Sequence, residues 1–495
     1  MKEVQGTILG IDVGTSSLKA VVYDLTGKVI NMNSQSYTFS TPKPGWAEID
    51  PELWWEAFKK ALKELNKVSS LNKLLAISFT GQMHTGILLD ENHTTIQPTI
   101  MWLDRRAAVE THELLQKLNL PSYQLNSTYT LPKLLWLHKH YPEKLAKVKK
   151  ILWPKDYLRW RLTGEFCTDS TEVLGTGLYD FDLHKWAESR LELIGLEPEV
   201  LPEIRSPFSE GGRIRPELAE ELNLNPEVKI LVGMGDIAAL LGGAPHKTGR
   251  VVCSLGSSSM IFASIPKDMS PSLPGDALYT VNLEPYKLYG GVSSTTGASL
   301  VWLYEKILEG QQKGKDFNDL FSAALEISPG CEGLCFIPYL AGERSPYWSD
   351  DVRGGFYGLS LSHDARHLTR AVMEGIAYSL RHLIDLYEES GVKVQELALA
   401  AGGIRVPGLV QIIADVCGKN VLIYAGQDTV TKVLYAICAS ALDLADFEES
   451  LLSTFGQPEF IHYDPTHSLA YDKTYRIYRK FSDFAASCAD YYKHD

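Results

Sequence analysis

The chain has 495 residues, a length that exceeds one hydrophobic core and predicts two or more domains. Its composition, 45% hydrophobic and 22% charged, is typical of globular proteins, and no apolar run is long enough to span a bilayer. The net charge of -13 argues against nucleic acid and anionic membranes as partners but is compatible with a nucleotide held by local donors.

The first predicted elements are two strands within residues 8–24, joined by a tight Gly-Thr-Ser-Ser turn at residues 14–17. Gly14 lets the backbone approach a ligand closely, and the hydroxyl and N–H donors that follow it suit a phosphate group. Asp12, just before the turn, is an oxygen ligand of the kind that Mg²⁺ prefers. A surface hairpin with a solvated Asp12 is the alternative, and this stretch alone leaves both open.

Strands and helices then alternate, which indicates an α/β fold. Residues 52–65 predict an amphipathic helix, and residues 74–79 and 87–90 predict buried strands on either side of a polar loop at residues 80–86. A third strand end leads through Trp102 and Asp104 into a helix. Polar groups that follow buried strands mark the ligand-binding edge of such folds.

A further acid, Asp236, follows a predicted strand at 228–232 and a Gly-Met-Gly turn. Its position before a helix of small residues makes it a candidate base for phosphoryl transfer, which needs an acceptor for the proton of the incoming hydroxyl. An Asp in this position is more often a helix cap, so the spacing leaves this alternative open.

The opening pattern recurs at residues 249–263, again as strand, turn (Gly256-Ser257-Ser258) and strand. Two copies of this hairpin indicate two similar halves, with a linker at residues 245–248 between them. The second half predicts a small-residue loop at 290–298, a helix at 299–307, a strand at 334–340, a helix at 368–387, a strand at 396–401, a helix at 408–417, and helices and loops beyond 447.

The seven cysteines are odd in number and mostly lie in apolar surroundings, which indicates free buried thiols in a reducing compartment. The first residues lack the apolar region of a signal peptide, so we expect a cytoplasmic protein. A homodimer is a common state of soluble enzymes in general, and the sequence leaves the oligomeric state of this chain open.

Together the two hairpins and the pair Gly402-Gly403 fit an ATP site between two domains, and the chain resembles the FGGY carbohydrate kinases of the actin and hexokinase superfamily. The resemblance is carried by residues 11–19, 130–137, 355–359 and 367–375 and covers nearly the whole chain. It implies two ribonuclease-H-like α/β domains with an interdomain cleft. Residues 1–245 would be the N-terminal FGGY domain, for sugar, phosphate and the catalytic base, and residues 246–495 the C-terminal FGGY domain, for nucleotide.

The resemblance also assigns roles to individual residues. Asp236 matches the catalytic base that takes the proton of a sugar hydroxyl, and Asp12 matches the acid beside Mg²⁺, which it would hold through water. Mg–ATP would be the donor. The residues that match the ATP-binding motifs are Gly14, Thr15, Ser16, Ser17, Lys19, Gly256, Ser257, Ser258, Gly297, Gly402 and Gly403.

The best indicator of the sugar is Gln82-Met83-His84. Glycerol kinases carry Arg-Glu in place of Met83-His84, whereas this motif is similar to that of xylulokinases and is shared by sedoheptulose kinases. His84 suits a sugar hydroxyl because imidazole both donates and accepts, although a satisfied histidine at a strand end is the alternative. Trp102 and Asp104 lie where the family lines its sugar pocket, and a core position is the alternative for Trp102.

The resemblance thus predicts phosphorylation of D-xylulose to D-xylulose 5-phosphate. Ribulose, sedoheptulose and gluconate remain open as acceptors, as does a nucleotide-switched, partner-binding ATPase of the actin or chaperone type. Two departures from the family pattern leave the adenine contacts open: residues 404–407 (Ile-Arg-Val-Pro) follow the glycine pair, and bulky side chains occupy residues 427–436, where the family has small ones.

Overall fold

The structure, a computed structural model, describes residues 6–121, 123–181, 183–244, 246–271, 273, 277–283, 286–308, 317–400, 402–424 and 429–492. Pro245, Ala401, Gln427 and Asp428, which belong to features predicted from the sequence, lie outside the described residues. The chain divides into two compact units, one containing the described residues of 1–245 and 428–455 and the other those of 246–427 and 456–495. Residues 429–455, which the linker position assigns to the second half, therefore pack with the first unit.

The strands follow one another along the chain. Up to residue 244 they are β1 (Thr7–Val13), β2 (Ser17–Tyr23), β3 (Val29–Ser36), β4 (Glu48–Ile49), β5 (Leu74–Gly81), β6 (Ile87–Leu89), β7 (Thr99–Ile100), β8 (Lys150–Leu152), β9 (Cys167–Asp169), β10 (Tyr179–Asp180), β11 (Lys185–Trp186), β12 (Glu203–Arg205) and β13 (Lys229–Ile230). Beyond it they are β14 (Arg250–Leu255), β15 (Ser259–Ile265), β16 (Tyr279–Leu283), β17 (Tyr286–Ser293), β18 (Cys335–Ile337), β19 (Gly355–Tyr357), β20 (Glu396–Ala400), β21 (Asn420–Ile423) and β22 (Glu459–Ile461).

The α-helices are interspersed with these strands. They are α1 (Glu52–Asn66), α2 (Ala108–Leu118), α3 (Thr130–His140), α4 (Pro142–Leu145), α5 (Pro154–Thr163), α6 (Glu188–Glu192), α7 (Pro216–Glu221), α8 (Asp236–Gly242), α9 (Gly297–Trp302), α10 (Phe317–Ala324), α11 (Ala365–Glu389), α12 (Leu409–Cys417), α13 (Thr429–Ala441), α14 (Phe447–Phe455) and α15 (Pro465–Ser487). No helix of the described residues is both long and apolar enough to cross a bilayer.

Among the described residues, the central sheet of the first unit has five strands in the order β13-β5-β1-β2-β3. Strand β1 pairs antiparallel with β2 and parallel with β5, and β13 pairs parallel with β5. Alternate residues of β1 point to opposite faces of the sheet. Leu9 and Ile11 join the core that contains α1, whereas the face that carries Gly10 packs against Leu434 of α13. Helices thus cover both faces, which leaves the carboxyl ends of β1 and β5 for a site.

The second unit repeats this plan. Within its described residues the sheet order is β16-β17-β15-β14-β20-β21-β22. The central strand β14 pairs antiparallel with β15 and parallel with β20, as β1 does with β2 and β5. The five strands β17-β15-β14-β20-β21 therefore match β3-β2-β1-β5-β13 in order and direction, and the prediction of two similar halves, each with a strand–turn–strand hairpin, is confirmed.

Two local predictions are wrong. Residues 290–293 continue β17 instead of forming a loop. Small residues are required there by close neighbours: an added Cβ would lie 2.1 Å from the Ile261 carbonyl oxygen at Gly290 and 2.3 Å from Ser345 Oγ at Gly291. Strand β22 falls in a stretch predicted as helices and loops; three residues at a sheet edge are too few to give a period.

Helix α13 explains the bulky residues after position 428. It packs on β1, β5 and α8, and Leu434 and Tyr435 are buried there. Thr431 Oγ1 and the Tyr23 hydroxyl lie 2.6 Å apart, and the Tyr435 hydroxyl donates to the Leu25 carbonyl at 3.0 Å. The bulk therefore fills the core of the first unit. All seven cysteines are free thiols, and each except the half-buried Cys488 is buried.

Candidate active site

The turn between β1 and β2 is held through one carbonyl oxygen. The Gly14 N–H donates to the Ser17 carbonyl at 3.0 Å, which closes the turn. The Gly14 carbonyl in turn accepts from the Tyr37 hydroxyl at 2.5 Å and from the Gln82 amide at 3.0 Å. Residues 14–17 are half-buried or exposed. The turn is thus fixed from behind, and its donors remain accessible to a ligand.

Asp236 stands at the start of α8, where the chain leaves β13 beside the end of β5. A glycine is required at position 233, because φ is +74° and an added Cβ would lie 1.9 Å from the Phe79 carbonyl oxygen. This close crossing brings Asp236 to the same edge of the sheet as Asp12, the penultimate residue of β1.

The two acids influence each other. Burial raises the pKa of Asp236 to about 7, and the negative charge of Asp12 raises it as well. Hydrogen bonds from the backbone N–H groups of Ile237, Met83 and Asp236 itself lower it in part. Such a carboxyl group is poised to take up a proton near neutral pH. Lys19 lies directly opposite Asp12 across the β1–β2 pair.

His84 adopts a left-handed backbone conformation, with φ of +71°, in the loop after β5. Its Nδ1 lies 2.6 Å from the Gly175 carbonyl oxygen, to which it must donate, so Nε2 carries the lone pair of the neutral ring. The ring stacks on Tyr129 at a centroid distance of 4.8 Å, and Thr130 Oγ1 donates to the His84 carbonyl at 3.0 Å. An added Cβ at Gly175 would lie 2.0 Å from the ring. The imidazole is therefore held in one orientation.

Met83 packs against the loop that carries Asp236. An added Cβ at Gly235 would lie 2.6 Å from Met83 Sδ, so this glycine makes room for the thioether. The Met83 backbone N–H also hydrogen-bonds to Asp236. The predicted substrate residues Met83 and His84 and the predicted base are thereby brought together in the first unit.

Gln82 and Trp102 connect this loop to the phosphate-type turn. The Gln82 side chain is 1% exposed; its amide donates to Gly14, and its Oε1 accepts from Thr85 Oγ1 at 3.5 Å. Thr85 Oγ1 accepts from the Trp102 N–H at 3.0 Å, and Trp102 Nε1 donates to Thr15 Oγ1 at 3.1 Å. Gln82 thus orders the turn, whereas the half-buried Trp102 borders it directly.

Asp104 is placed differently from the other predicted substrate residues. Its side chain is 0% exposed and accepts from the Ala47 N–H at 2.6 Å and from Arg106 through Nε and Nη2. Arg106 also bonds to Glu48 at 2.7 Å. These contacts argue against a sugar hydroxyl as a ligand of Asp104 and give it a structural role. The sequence prediction considered the acid without its arginine partner.

The predicted nucleotide residues of the second unit cluster at the end of β14. The Gly256 N–H donates to the Ser258 carbonyl at 3.1 Å, and the Gly297 N–H donates to the Gly256 carbonyl at 2.9 Å. An added Cβ would lie 2.5 Å from the Gly256 carbonyl oxygen at Gly297 and 2.7 Å from Leu255 Cβ at Gly403. Gly402–Arg405 form a 3₁₀ turn, so the residues after the glycine pair that depart from the family sequence pattern begin within a regular turn.

Asp12 suits a magnesium ion that arrives with a nucleotide. Mg²⁺ is usually bound by one or two carboxylates together with water and phosphate oxygens. Asp12 supplies a half-buried carboxylate beside the donor-rich turn, and no group of three or more His, Cys, Asp or Glu side chains among the described residues forms a site that could hold a metal. A single carboxylate beside phosphate-type donors fits an ion whose other ligands are water and phosphate oxygens.

Several residues that shape the site were not predicted from the sequence, namely Tyr37, Thr85, Tyr129 and Gly175. Each acts through a partner that is distant in the chain or through its backbone. Of these residues, Thr85 lies in the polar loop at residues 80–86 that the sequence marked as a ligand-binding edge.

Comparisons with known proteins agree with this architecture. The profile of the FGGY family of carbohydrate kinases, N-terminal domain, matches residues 7–242, and that of the C-terminal domain matches residues 251–431. A xylulose kinase of Lactococcus lactis subsp. lactis (strain IL1403) is 34% identical over 490 residues, which cover 96% of each chain. A xylulose kinase of Escherichia coli (strain K12) is 32% identical over 429 residues, which cover 85% of this chain and 87% of the relative.

The same likeness is found among solved structures. A ligand-bound xylulose kinase from Lactobacillus acidophilus matches with a TM-score of 0.90 at 25% identity, over 99% of this chain and 100% of that one. The two family profiles together span most of the sequence, in the order of the two repeated sheets. The chain therefore belongs to the FGGY family of carbohydrate kinases, which use ATP to phosphorylate sugars.

Proposed function

We propose that this kinase transfers the γ-phosphoryl group of Mg–ATP to D-xylulose and yields D-xylulose 5-phosphate. The observation that carries the proposal is the juxtaposition of Asp236, with its pKa raised to about 7, and the loop of Met83 and His84. The relatives described above are xylulose kinases, which favours this ketopentose over ribulose, sedoheptulose and gluconate.

Asp236 would act as the general base. As the sugar hydroxyl oxygen forms its bond to the γ-phosphorus, the bond from that phosphorus to the bridging oxygen of ATP breaks and ADP leaves. The hydroxyl proton passes to the Asp236 carboxylate. A base with a pKa near the working pH suits this step, because about half of it is ionised and the carboxylate is still basic enough to take the proton.

Asp12 and the turn at residues 14–17 would hold the phosphate end of the nucleotide. The turn offers backbone N–H and hydroxyl donors, among them those of Thr15, Ser16 and Ser17, and Lys19 adds a positive charge on the neighbouring strand. Asp12 would hold Mg²⁺ through water, and the ion would neutralise phosphate charge. In the second unit, we assign nucleotide binding to Gly256, Ser257, Ser258, Gly297, Gly402 and Gly403.

His84, Met83 and Trp102 would contact the sugar. The neutral His84 ring can accept from a sugar hydroxyl at Nε2, since Nδ1 is engaged by Gly175. Trp102 offers an aromatic face beside the turn. Residues 1–245 would thus carry the sugar, the phosphates and the base, and the second unit, within residues 246–495, would carry the nucleotide.

A panel of acceptors tests the proposal. ADP release is measured with D-xylulose, D-ribulose, sedoheptulose, gluconate, glycerol or no sugar, and ³¹P NMR identifies the phosphorylated carbon. We expect the highest kcat/KM with D-xylulose and phosphate on its C5 oxygen. A higher kcat/KM with another acceptor, or turnover that does not depend on sugar, would overturn the assignment. The same assay with D236N tests the proposed base, and D268N, at an exposed aspartate of the second unit, serves as its control.

A further inference from the structure

A buried ion pair lies behind the loop that carries Asp236. Lys155, in the first turn of α5, is fully buried, and its Nζ lies 2.6 Å from Asp156 Oδ1 and 2.7 Å from Asp169 Oδ2. Buried charges persist when they are paired and hydrogen-bonded. Lys155 thus engages Asp169 through Oδ2 and leaves the other carboxylate oxygen, Oδ1, for further hydrogen bonds.

Asp169 uses its other oxygen, Oδ1, to organise the chain that follows β9. This oxygen accepts from the Thr171 N–H at 2.7 Å, from the Thr171 hydroxyl, and from the Glu172 N–H at 3.3 Å. The Thr171 hydroxyl, which donates a hydrogen bond to Asp169, also accepts one from the Gly235 N–H at 2.9 Å. A continuous path thus leads from Lys155 to the residue before Asp236.

Three successive backbone N–H groups fix the approach to Asp236. Gly233 donates to the Pro207 carbonyl at 3.1 Å and Met234 to the Phe79 carbonyl at 3.1 Å, whereas Gly235 donates to the Thr171 side chain. Helix α8 has only seven residues and begins at Asp236 itself. The backbone position of the proposed base therefore depends on few contacts, of which the bond to Thr171 is the one closest to it.

The same segment also supports the sugar loop. Glu172–Gly175 form a 3₁₀ turn directly after Thr171, and the Gly175 carbonyl accepts from His84 Nδ1 at 2.6 Å. Residues 171–175 thus contact both the loop of the base and the histidine proposed for the sugar. A shift of this segment would alter the distance between base and substrate.

We propose that Lys155, Asp169 and Thr171 form a positioning network for Asp236, with Thr171 as the link that sets the base relative to the sugar. The inference rests on the proposed role of Asp236 as the base. The network acts by holding Gly235 and does not include the proposed base itself. A misplacement of a reacting group by about 1 Å lowers the rate by roughly 100-fold, so a single hydrogen bond at this point affects turnover.

The test compares T171V with T168V in the full-length enzyme. Both threonines are fully buried, and both hydroxyls donate to a buried aspartate paired with Lys155, Thr168 to Asp156 at 2.7 Å. Of the two hydroxyls, that of Thr171 accepts from the Gly235 N–H. We expect T171V to lower kcat by roughly 10- to 100-fold with little change in the KM for the nucleotide, and T171S to restore it to within about threefold. T168V is expected to keep the wild-type kcat.

A kcat of T171V equal to that of T168V would overturn the inference, as would a T171S variant as slow as T171V. If T171V does not fold, T171A and T168A provide the same comparison, because both shorten the side chain equally. D236N separates this inference from the proposed function. Full turnover of D236N would reject Asp236 as the base, whereas an inactive D236N with an unaffected T171V would reject the positioning network alone.

Discussion

Lowering the pH is expected to slow the enzyme steeply, because Asp236, as the proposed base, would accept the sugar proton only as a carboxylate. The pKa of Asp236 is raised from 3.8 to about 7 by burial and by the nearby charge of Asp12. Below this value the proton is already bound and the base is inactive. The ionised fraction then falls about tenfold for each pH unit, so we expect kcat/KM for the sugar to fall about 50-fold between pH 7 and pH 5.

The assay is an initial-rate measurement of ADP release at low sugar and saturating Mg–nucleotide from pH 5 to pH 9. Direct quantification of ADP at each pH controls for the pH limits of coupling enzymes. An aspartate with the ordinary pKa of 3.8 would remain more than nine-tenths ionised at pH 5, so kcat/KM would hardly change. A flat profile between pH 5 and pH 8 would therefore refute the reasoning. Because burial also raises the pKa of Glu172, Glu343 and Glu374, the residue would be identified by the part of the protonated-carboxyl infrared band at pH 6 that is lost in D236N.

Three further variants test individual contacts. G175A places a Cβ 2.0 Å from the His84 ring, so we expect the KM for the sugar to rise about tenfold while the KM for the nucleotide is unchanged. Steady-state kinetics with each substrate varied in turn measure both values, and an equal rise in both would contradict this expectation. Neither carboxylate oxygen of Glu172 has a hydrogen-bond partner among the described residues, and burial raises its pKa well above 4.5, so unfolding of the wild type should become easier as the pH rises from 4.5 through the folded pKa. E172Q should flatten this dependence in urea titrations at several pH values, and parallel curves would refute it. D104N breaks the buried pair with Arg106 and should lower the free energy of unfolding by about 3–5 kcal/mol without changing the sugar KM of the folded enzyme; a large rise in KM at unchanged stability would restore Asp104 to the sugar site.

Local patterns predicted the elements whose neighbours are close in sequence. The hairpin of β1 and β2 was evident from a polar turn between apolar runs, and α1 from the spacing of its apolar face. The second hairpin, β14 and β15, was found by its likeness to the first, and the matching sheet orders confirm the repeat. These features are encoded within about twenty residues each, which a single sequence displays.

The remaining features depend on partners far away in the chain. Gly290 lies in a strand, where the Ile261 carbonyl of the neighbouring strand leaves no room for a side chain. A run of small residues in the sequence does not reveal that neighbour. Helix α13 packs with the first unit although it follows all but the last strand, β22, of the second unit's sheet. Asp104 pairs with Arg106 inside the core, and Gly235 bonds to Thr171 across 64 positions. Such contacts become visible only when the fold brings the partners together.

The central claim is that Asp236 is the base of a sugar kinase, and the most direct test is single-turnover transfer of phosphate to D-xylulose by D236N. The variant keeps the shape of the side chain and removes its ability to take a proton. We predict that the phosphoryl-transfer rate falls at least ~100-fold relative to wild type and to D268N, while nucleotide and sugar still bind. A transfer rate within a few-fold of wild type, with both substrates bound, would contradict the account.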